Sequence, residues 1–366
     1  MDVDIVSSEA KLIAVAEEWR LLQARVARFP FADPASFIAW WQIRGRQEGH
    51  KLHVTTGRQD GKLVALAPLV VTRRRGMRVL EWGGSEVFDY CDTLLDAETW
   101  SKPLWDAVRQ SRLYDFGLLR DVHPRASCND ALSIFARQAR HRRAFRIHFD
   151  WSSSSIWMAD VLSASTRAYY RRAGRQLSQN GPLRFAVCRD KPLPSRVLNA
   201  LIRQKTEWLL AHEKQSWLSD DPTGGPSLLE QIADAAAAAG TLHLCWLQCG
   251  DEIIATHFGF QHQGFLHWYI PTYALTWARF APGRLLLLKL IEWAIDNGLS
   301  GFDFMRGDEP YKTRLSNDYR DLTDFIFANS RVARLAEPWF MAWYLPRQAG
   351  AADARPEPAL LHLDNR

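Results

Sequence analysis

One pattern of elements occurs twice in this chain, and it limits the fold more than any other feature. Residues 51–56 and 63–72 read as strands around Asp60-Gly61, a dipeptide that tolerates the positive φ of a tight hairpin. A third strand, 77–82, follows Gly76, and a helix at 101–111 and a strand from Tyr114 to Leu119 complete the run. In the second half, Thr241–Gln248 and Glu252–Gln261 flank Gly250-Asp251. A strand Gly264–Ile270, a helix at 283–297 ending at Gly298 and a strand Phe302–Met305 follow. Leu52-His53-Val54 lies over Leu242-His243-Leu244, and Leu63-Val64-Ala65 over Ile253-Ile254-Ala255, without a gap. Asp115-Phe116 falls near Asp303-Phe304. Such self-similarity points to a duplicated α/β domain. The plain alternative is a pair of α/β units that share the rhythm without duplication.

At 366 residues the chain has room for two domains. The expected division is an N-terminal domain at 1–150, a basic linker at 151–180, a C-terminal domain at 181–346 and a disordered Ala/Pro/Glu-rich tail at 347–366. A helix is expected at 8–29, and others at 195–212 and 226–239. The Ser-rich segment from Asp150 to Ile156 and the segment from Asp220 to Pro226 read as loops. Between them Arg167, Arg171 and Arg175 form one column at helical spacing, either a solvated face or an anion contact.

Composition narrows the function classes. The formal charge is +5, which suits an anionic partner such as a pyrophosphate, a nucleic acid or an anionic lipid surface and selects none of them. Five cysteines without a CxxC pair argue against disulfide and zinc frameworks; no metal is expected, and a reducing cytoplasm fits. The acidic start MDVDIVSSEA lacks the basic and apolar regions of a signal peptide. No apolar run reaches the roughly 18 residues of a membrane span. The aromatic stretch Glu337–Pro346, preceded by Arg331 and Arg334, either packs on its domain or rests in a membrane interface.

Three segments carry candidate chemistry. Trp277-Ala-Arg-Phe-Ala-Pro-Gly-Arg284 joins a strand to a helix. Pro282 suits the first helical turn, Gly283 permits close approach to backbone N–H groups, and Arg279 and Arg284 add charge, so phosphate binding is the functional reading. Gly301–Lys312 ends a short apolar strand in a turn crowded with Arg306, Asp308, Glu309, Tyr311 and Lys312. His257, in a central strand, is a base or a core residue, and Tyr273 is a similar case.

These pieces resemble a family. The span 166–328 is similar to the C-terminal domain of the CelD/BcsL-type group of GNAT acyltransferases, relatives of the Fem-type aminoacyl transferases. The resemblance rests on Tyr169-Tyr-Arg-Arg172 before a Gly-Pro strand start, Ile254-Ala-Thr-His-Phe-Gly259, Tyr269-Ile-Pro-Thr-Tyr-Ala274, Pro282-Gly283, and Phe302-Asp-Phe followed by Arg306-Gly-Asp-Glu-Pro-Tyr-Lys312. Ala67-Pro-Leu69, Trp82-Gly-Gly84 and Asp89-Tyr-Cys-Asp92 extend it to the N-terminal half. It implies tandem GNAT-like domains of the α/β (α+β) class, each a mixed twisted sheet flanked by helices, with the chemistry in the second.

It also implies acyl transfer from a thioester to an amine or hydroxyl, with acyl-CoA as cosubstrate and no bound cofactor. The acceptor would be a cell-envelope precursor, a polysaccharide or a lipid amine such as a sphingoid base. The usual pyrophosphate loop is R/Q-x-x-G-x-G/A; here Arg279-Phe-Ala-Pro-Gly-Arg284 has one glycine and a proline. CoA, an acyl carrier protein and an aminoacyl-tRNA therefore all stand as donors, the last being the one nucleic-acid partner expected. A non-catalytic binding protein on a decayed pair is the remaining reading. His257, Glu309 and Asp308 are the candidate bases, and Tyr311 matches the family's acid position. Lys312 or Arg306 would bind phosphate or an acceptor carboxylate, and Tyr273 substrate. The expected location is cytoplasmic, with a peripheral contact at the inner membrane face.

Overall fold

The computed structural model describes residues 2–218 and 224–350. The chain forms two units, but not by a cut at residue 150. One comprises residues up to Arg142 together with those from Arg320 onward, and the other Arg143–Tyr319.

The first unit opens with β1 (Asp2–Val6), α1 (Glu9–Val26) and α2 (Pro34–Trp40), and continues with β2 (Lys51–Leu52), β3 (Val54–Gln59), β4 (Lys62–Ala67), β5 (Leu69–Arg74), β6 (Met77–Trp82) and β7 (Leu94–Leu95). The helix α3 (Ser101–Gln110), strand β8 (Phe116–Val122) and helix α4 (Asn129–Phe135) complete its N-terminal part. The strand expected at 63–72 is two strands. Pro68 has no N–H for a ladder, and the pieces on either side of it join different sheets, ordered β1-β3-β4-β7 and β8-β6-β5-β2.

β9 (Arg137–His148) carries the chain into the second unit. There follow α5 (Ser154–Val161), α6 (Ala164–Ser178), β10 (Leu183–Cys188), α7 (Ser195–Ala211), α8 (Gly224–Ala238), β11 (Leu242–Cys249), β12 (Glu252–His262) and β13 (Phe265–Tyr273). A 3-10 turn, Leu275–Phe280, leads into α9 (Pro282–Asp296), then β14 (Gly301–Arg306) and α10 (Pro310–Leu315). The sheet order is β10-β11-β12-β13-β14-β9.

The expected linker 151–180 is α5 and α6. Ser153 caps α5 by accepting from the Ile156 N–H, which turns the Ser-rich loop into a helix start. Arg167 is a structural member of the arginine column: it donates to the carbonyls of Met158, Ala159 and Leu162 at the end of α5. Arg171 and Arg175 are exposed. In the expected loop at 220–226, Gly224–Pro226 form the first turn of α8, and residues 219–223 lie outside the described residues.

β15 (Asp318–Ala328) then returns the chain to the first unit, where it pairs antiparallel with β8, and α11 (Arg331–Gly350) packs beside them. α11 runs four residues into the segment expected to be disordered; residues 351–366 lie outside the described residues.

The repetition is real at the level of pairing. In each half a hairpin is followed by a crossover helix and a parallel strand: β5–β6, α3, β8 and β12–β13, α9, β14. Parallel neighbours need such a crossover. The strand that follows is exchanged: the end of β9 pairs with β14 in the second unit, and β15 pairs with β8 in the first. The expected C-terminal domain therefore loses residues 320–346 to the first unit. α11 seals that unit with Ala333, Phe340, Met341 and Tyr344, and the Phe340 ring stacks on Phe116 at 4.4 Å between centroids. Phe340→Ala should cost about 3–5 kcal/mol, read as a lower denaturant midpoint. An unshifted midpoint would mean α11 is not part of this core.

Candidate active site

The sheet of the second unit opens between two neighbouring strands. β13 and β14 pair in parallel only through Phe265, Leu266 and His267 against Gly301, Phe302 and Asp303. Beyond that both strands continue without pairing to each other, so a notch forms. A bulge sits on each side of it. In β13 the register with β12 shifts opposite Gly259, and the liberated Tyr269 N–H donates to His257 Nε2 at 3.1 Å. A Cβ at Gly259 would lie 2.4 Å from the His257 ring, so glycine is needed for that ring to fold over the backbone. In β14 the register with β9 shifts after Asp303, whose carboxylate accepts the Met305 N–H at 2.7 Å, and Met305 takes a positive φ of 62°.

The notch holds a cavity of about 50 Å³. Trp268, Ile270 and Pro271 of β13 line it, with Phe304 and Arg306 of β14, Lys205 of α7, and Glu309, Tyr311 and Lys312 of the following turn. Tyr311 is buried, and its hydroxyl oxygen accepts from Trp268 Nε1 at 3.1 Å. That bond fixes the oxygen and leaves the phenolic proton to be donated elsewhere. Lys312 is buried too; its ammonium meets Glu309 at 2.6 Å and the Arg306 carbonyl at 2.6 Å, and so closes the turn. Gly307 has φ 113°, and a Cβ there would lie 2.5 Å from Glu309 Oε2 and 2.8 Å from Lys312 Nζ. The Arg-Gly-Asp-Glu-Pro-Tyr-Lys string is thus a folded unit whose glycine makes room for an ion pair.

Of the residues singled out in the sequence, Arg306, Glu309, Tyr311 and Lys312 meet in this cavity. The others do not line it. Asp308 is exposed. Tyr273 is buried in the core between sheet and helices. Arg279 is exposed and lies over Phe280 at 4.6 Å, and Arg284 is buried over Tyr169 at 5.9 Å. Pro282 and Gly283 open α9, whose cap residue Ala281 is left-handed at φ 48° and offers no side-chain cap. Pro282 has no N–H and those of Arg284 and Leu285 donate to the Ala281 carbonyl, so in this first turn the Gly283 N–H is the one that could hold a phosphate.

His257 is a correction. It is fully buried, stacked on Trp268 at 4.4 Å, and its Nε2 is an acceptor for Tyr269 N–H. The ring is therefore neutral with its proton on Nδ1, which faces Cys245 Sγ at 3.9 Å. It holds the bulge from within the core and does not line the cavity. Trp268 and Lys205 were missed. Lys205 had a legible signal, a charge in the apolar stripe of α7 between Leu201 and Leu209. Trp268 had none beyond being aromatic.

His243 joins this core cluster. Its ring lies 6.4 Å from that of His257, and among the described residues neither of its ring nitrogens has a hydrogen-bond partner. One ligand atom each from His243, Cys245 and His257 lies within 4.8 Å of the others, the group among the described residues that could hold a metal ion.

Burial pushes His243 down to about 3 and His53, its counterpart in the first repeat, to about 4; His257 is held well below the ordinary range for the same reason. The unfolded chain protonates these rings from about pH 6.5 downward while the folded chain does not. Stability is therefore full above neutral pH and is lost as pH falls through that window, by about 2 kcal/mol per histidine at pH 5. A His243→Leu chain should show a shallower decline of its urea midpoint between pH 7.5 and 5. An unchanged slope would show that this ring is protonated in the folded state.

Residues 164–313 match the family model of an acetyltransferase (GNAT) domain. No curated protein matches the chain in sequence. Among solved structures, FemX is similar with a TM-score of 0.59 at 9% identity, covering 92% of this chain and 100% of that one. The C-terminal domain (DUF2156) assigned to a lysylphosphatidylglycerol synthetase of Agrobacterium fabrum is similar at 0.54 and 11%, over 92% and 96%. The L-PGS of Bacillus licheniformis is similar at 0.51 and 13%, over 85% and 96%. At such identities the likeness establishes the fold. Residues 164–313 match a GNAT domain, and the chain as a whole has a tandem GNAT-like fold.

Proposed function

We propose that the second unit transfers an acyl group from a thioester, with acyl-CoA as the first donor to consider, to an amine or hydroxyl of a cell-envelope precursor. The observation that carries this reading is a phenol held by an indole N–H inside a notch between two diverging parallel strands. Unpaired strand edges there suit the amide-bearing arm of an acyl carrier, whose phosphates would meet the Gly283 N–H at the start of α9. Arg279 and Arg284, near that helix start, would add charge.

In this reading the acceptor nitrogen gives its proton to Glu309, directly or through water, and attacks the thioester carbon. The C–N bond forms, the carbonyl oxygen takes the negative charge, and a notch N–H stabilises it. The carbonyl re-forms as the C–S bond breaks, and the departing thiolate takes the Tyr311 proton. Lys205 and Arg306 would meet an anionic group of the acceptor beside the nucleophile. The choice between a polysaccharide unit and a lipid amine lies with that group. A second reading, aminoacyl transfer from tRNA, is favoured by the exposed Arg171 and Arg175 on α6, which suit a phosphate backbone.

Thiol release from a series of acyl-CoAs, with an amine acceptor present, is the direct assay. Tyr311→Phe should lower kcat about 10²–10³-fold and leave the donor KM near its original value. Trp268→Phe, which removes the bond to the phenol, should cost about tenfold. Absence of thiol release at every chain length, alongside consumption of charged tRNA, would replace the first reading by the second. Release that Tyr311→Phe leaves unchanged would remove the tyrosine from the mechanism.

A further inference from the structure

α11 is apolar on two sides. Its inner face, Ala333, Phe340, Met341 and Tyr344, belongs to the core of the first unit, and the Tyr344 hydroxyl donates to Asp324 at 2.7 Å. On its outer side Val332, Leu335 and Trp339 are 76%, 83% and 81% exposed. Steps of three and four residues put these three on one stripe of the helix. The neighbouring exposed positions are Arg331, Arg334, Pro338 and Ala342, while the half-buried Glu337 lies on the opposite side of the helix from the stripe, so among the described residues the exposed arc carries two cations and no carboxylate.

We infer that the outer face of α11 lies in the headgroup layer of an anionic membrane. A valine, a leucine and a tryptophan would sit at the acyl boundary, where tryptophan is at home. Arg331 and Arg334 would run their stems along the same boundary and place their guanidinium groups among lipid phosphates. A second copy of the chain fits less well, because a symmetric contact through this stripe would bring four arginines together without a carboxylate on the outer face. The helix rests on the surface: none of the described helices is long and apolar enough to cross a membrane. The inference stands apart from the acyl-transfer reading, since no residue of the notch takes part.

The test is flotation of the full chain with vesicles of phosphatidylcholine alone or mixed equally with phosphatidylglycerol. The wild-type chain should float with the mixed vesicles and lose most of that binding at high salt. Leu335→Glu with Trp339→Glu should lower the bound fraction at least about tenfold. Arg331→Gln with Arg334→Gln should lower binding to the mixed vesicles about tenfold or more and abolish the preference for them. The wild-type measurement stands alone if a variant misfolds: failure to float with either vesicle overturns the inference. So does equal flotation of the Leu335/Trp339 variant, or a concentration-dependent dimer that this variant abolishes. Tyr311→Phe should float like the wild type, which separates membrane binding from catalysis.

Discussion

The site depends on a small failure of pairing. β13 and β14 stay together for three residues and then part, and each strand is bent away by a bulge whose freed N–H is taken by a side chain: His257 for Tyr269, Asp303 for Met305. A parted pair of strands inside a sheet would leave buried polar groups without partners. These two side chains remove part of that cost, and both are fully or almost fully buried. The notch is therefore built into the core from behind, and the catalytic candidates occupy its mouth. His257 belongs to this frame.

The first unit shows the same parting with a different filling. β6 and β8 pair in parallel at Val79–Phe116 and Leu80–Gly117 only. There the space beyond the pair is occupied by ions: Glu81 takes Thr72 and Arg74, Arg120 stands 3.9 Å from Glu81, and Asp121 meets Arg142 at 2.8 Å. Where the second half has the Gly307 turn with its tyrosine, the first has Val122-His123-Pro124. The two halves share this architecture, including a buried histidine at matching places, His53 and His243, and differ in what fills the space beyond the parted strands.

Much of the fold was legible because hairpins and crossover helices are local. Asp60-Gly61 and Gly250-Asp251 announce their turns, and Pro282 and Gly298 bracket α9 to within two residues. β9 and β15 were not legible. β9 carries Arg137, Arg140, Arg142, Arg143 and Arg146, a composition with no strand signature, and each strand finds its partner in the half of the chain it does not come from. Within the site the ionisable turn was readable from its crowding. Its internal order was not, since only coordinates show that Lys312 and Glu309 neutralise each other while Asp308 faces out. The pairing of Trp268 with Tyr311 is a contact between distant segments, which no local pattern encodes.

The exchanged strands have a consequence for how the protein is made. During synthesis the first unit emerges early, yet the edge of β8 has no antiparallel partner from its own half and Phe116 has no cover. Both arrive only with residues from Arg320 onward, after the second unit has been made. An unpaired strand edge beside an uncovered apolar patch is the surface on which nascent chains associate wrongly. The ribosome thus releases a chain whose first-made part is the last to be finished.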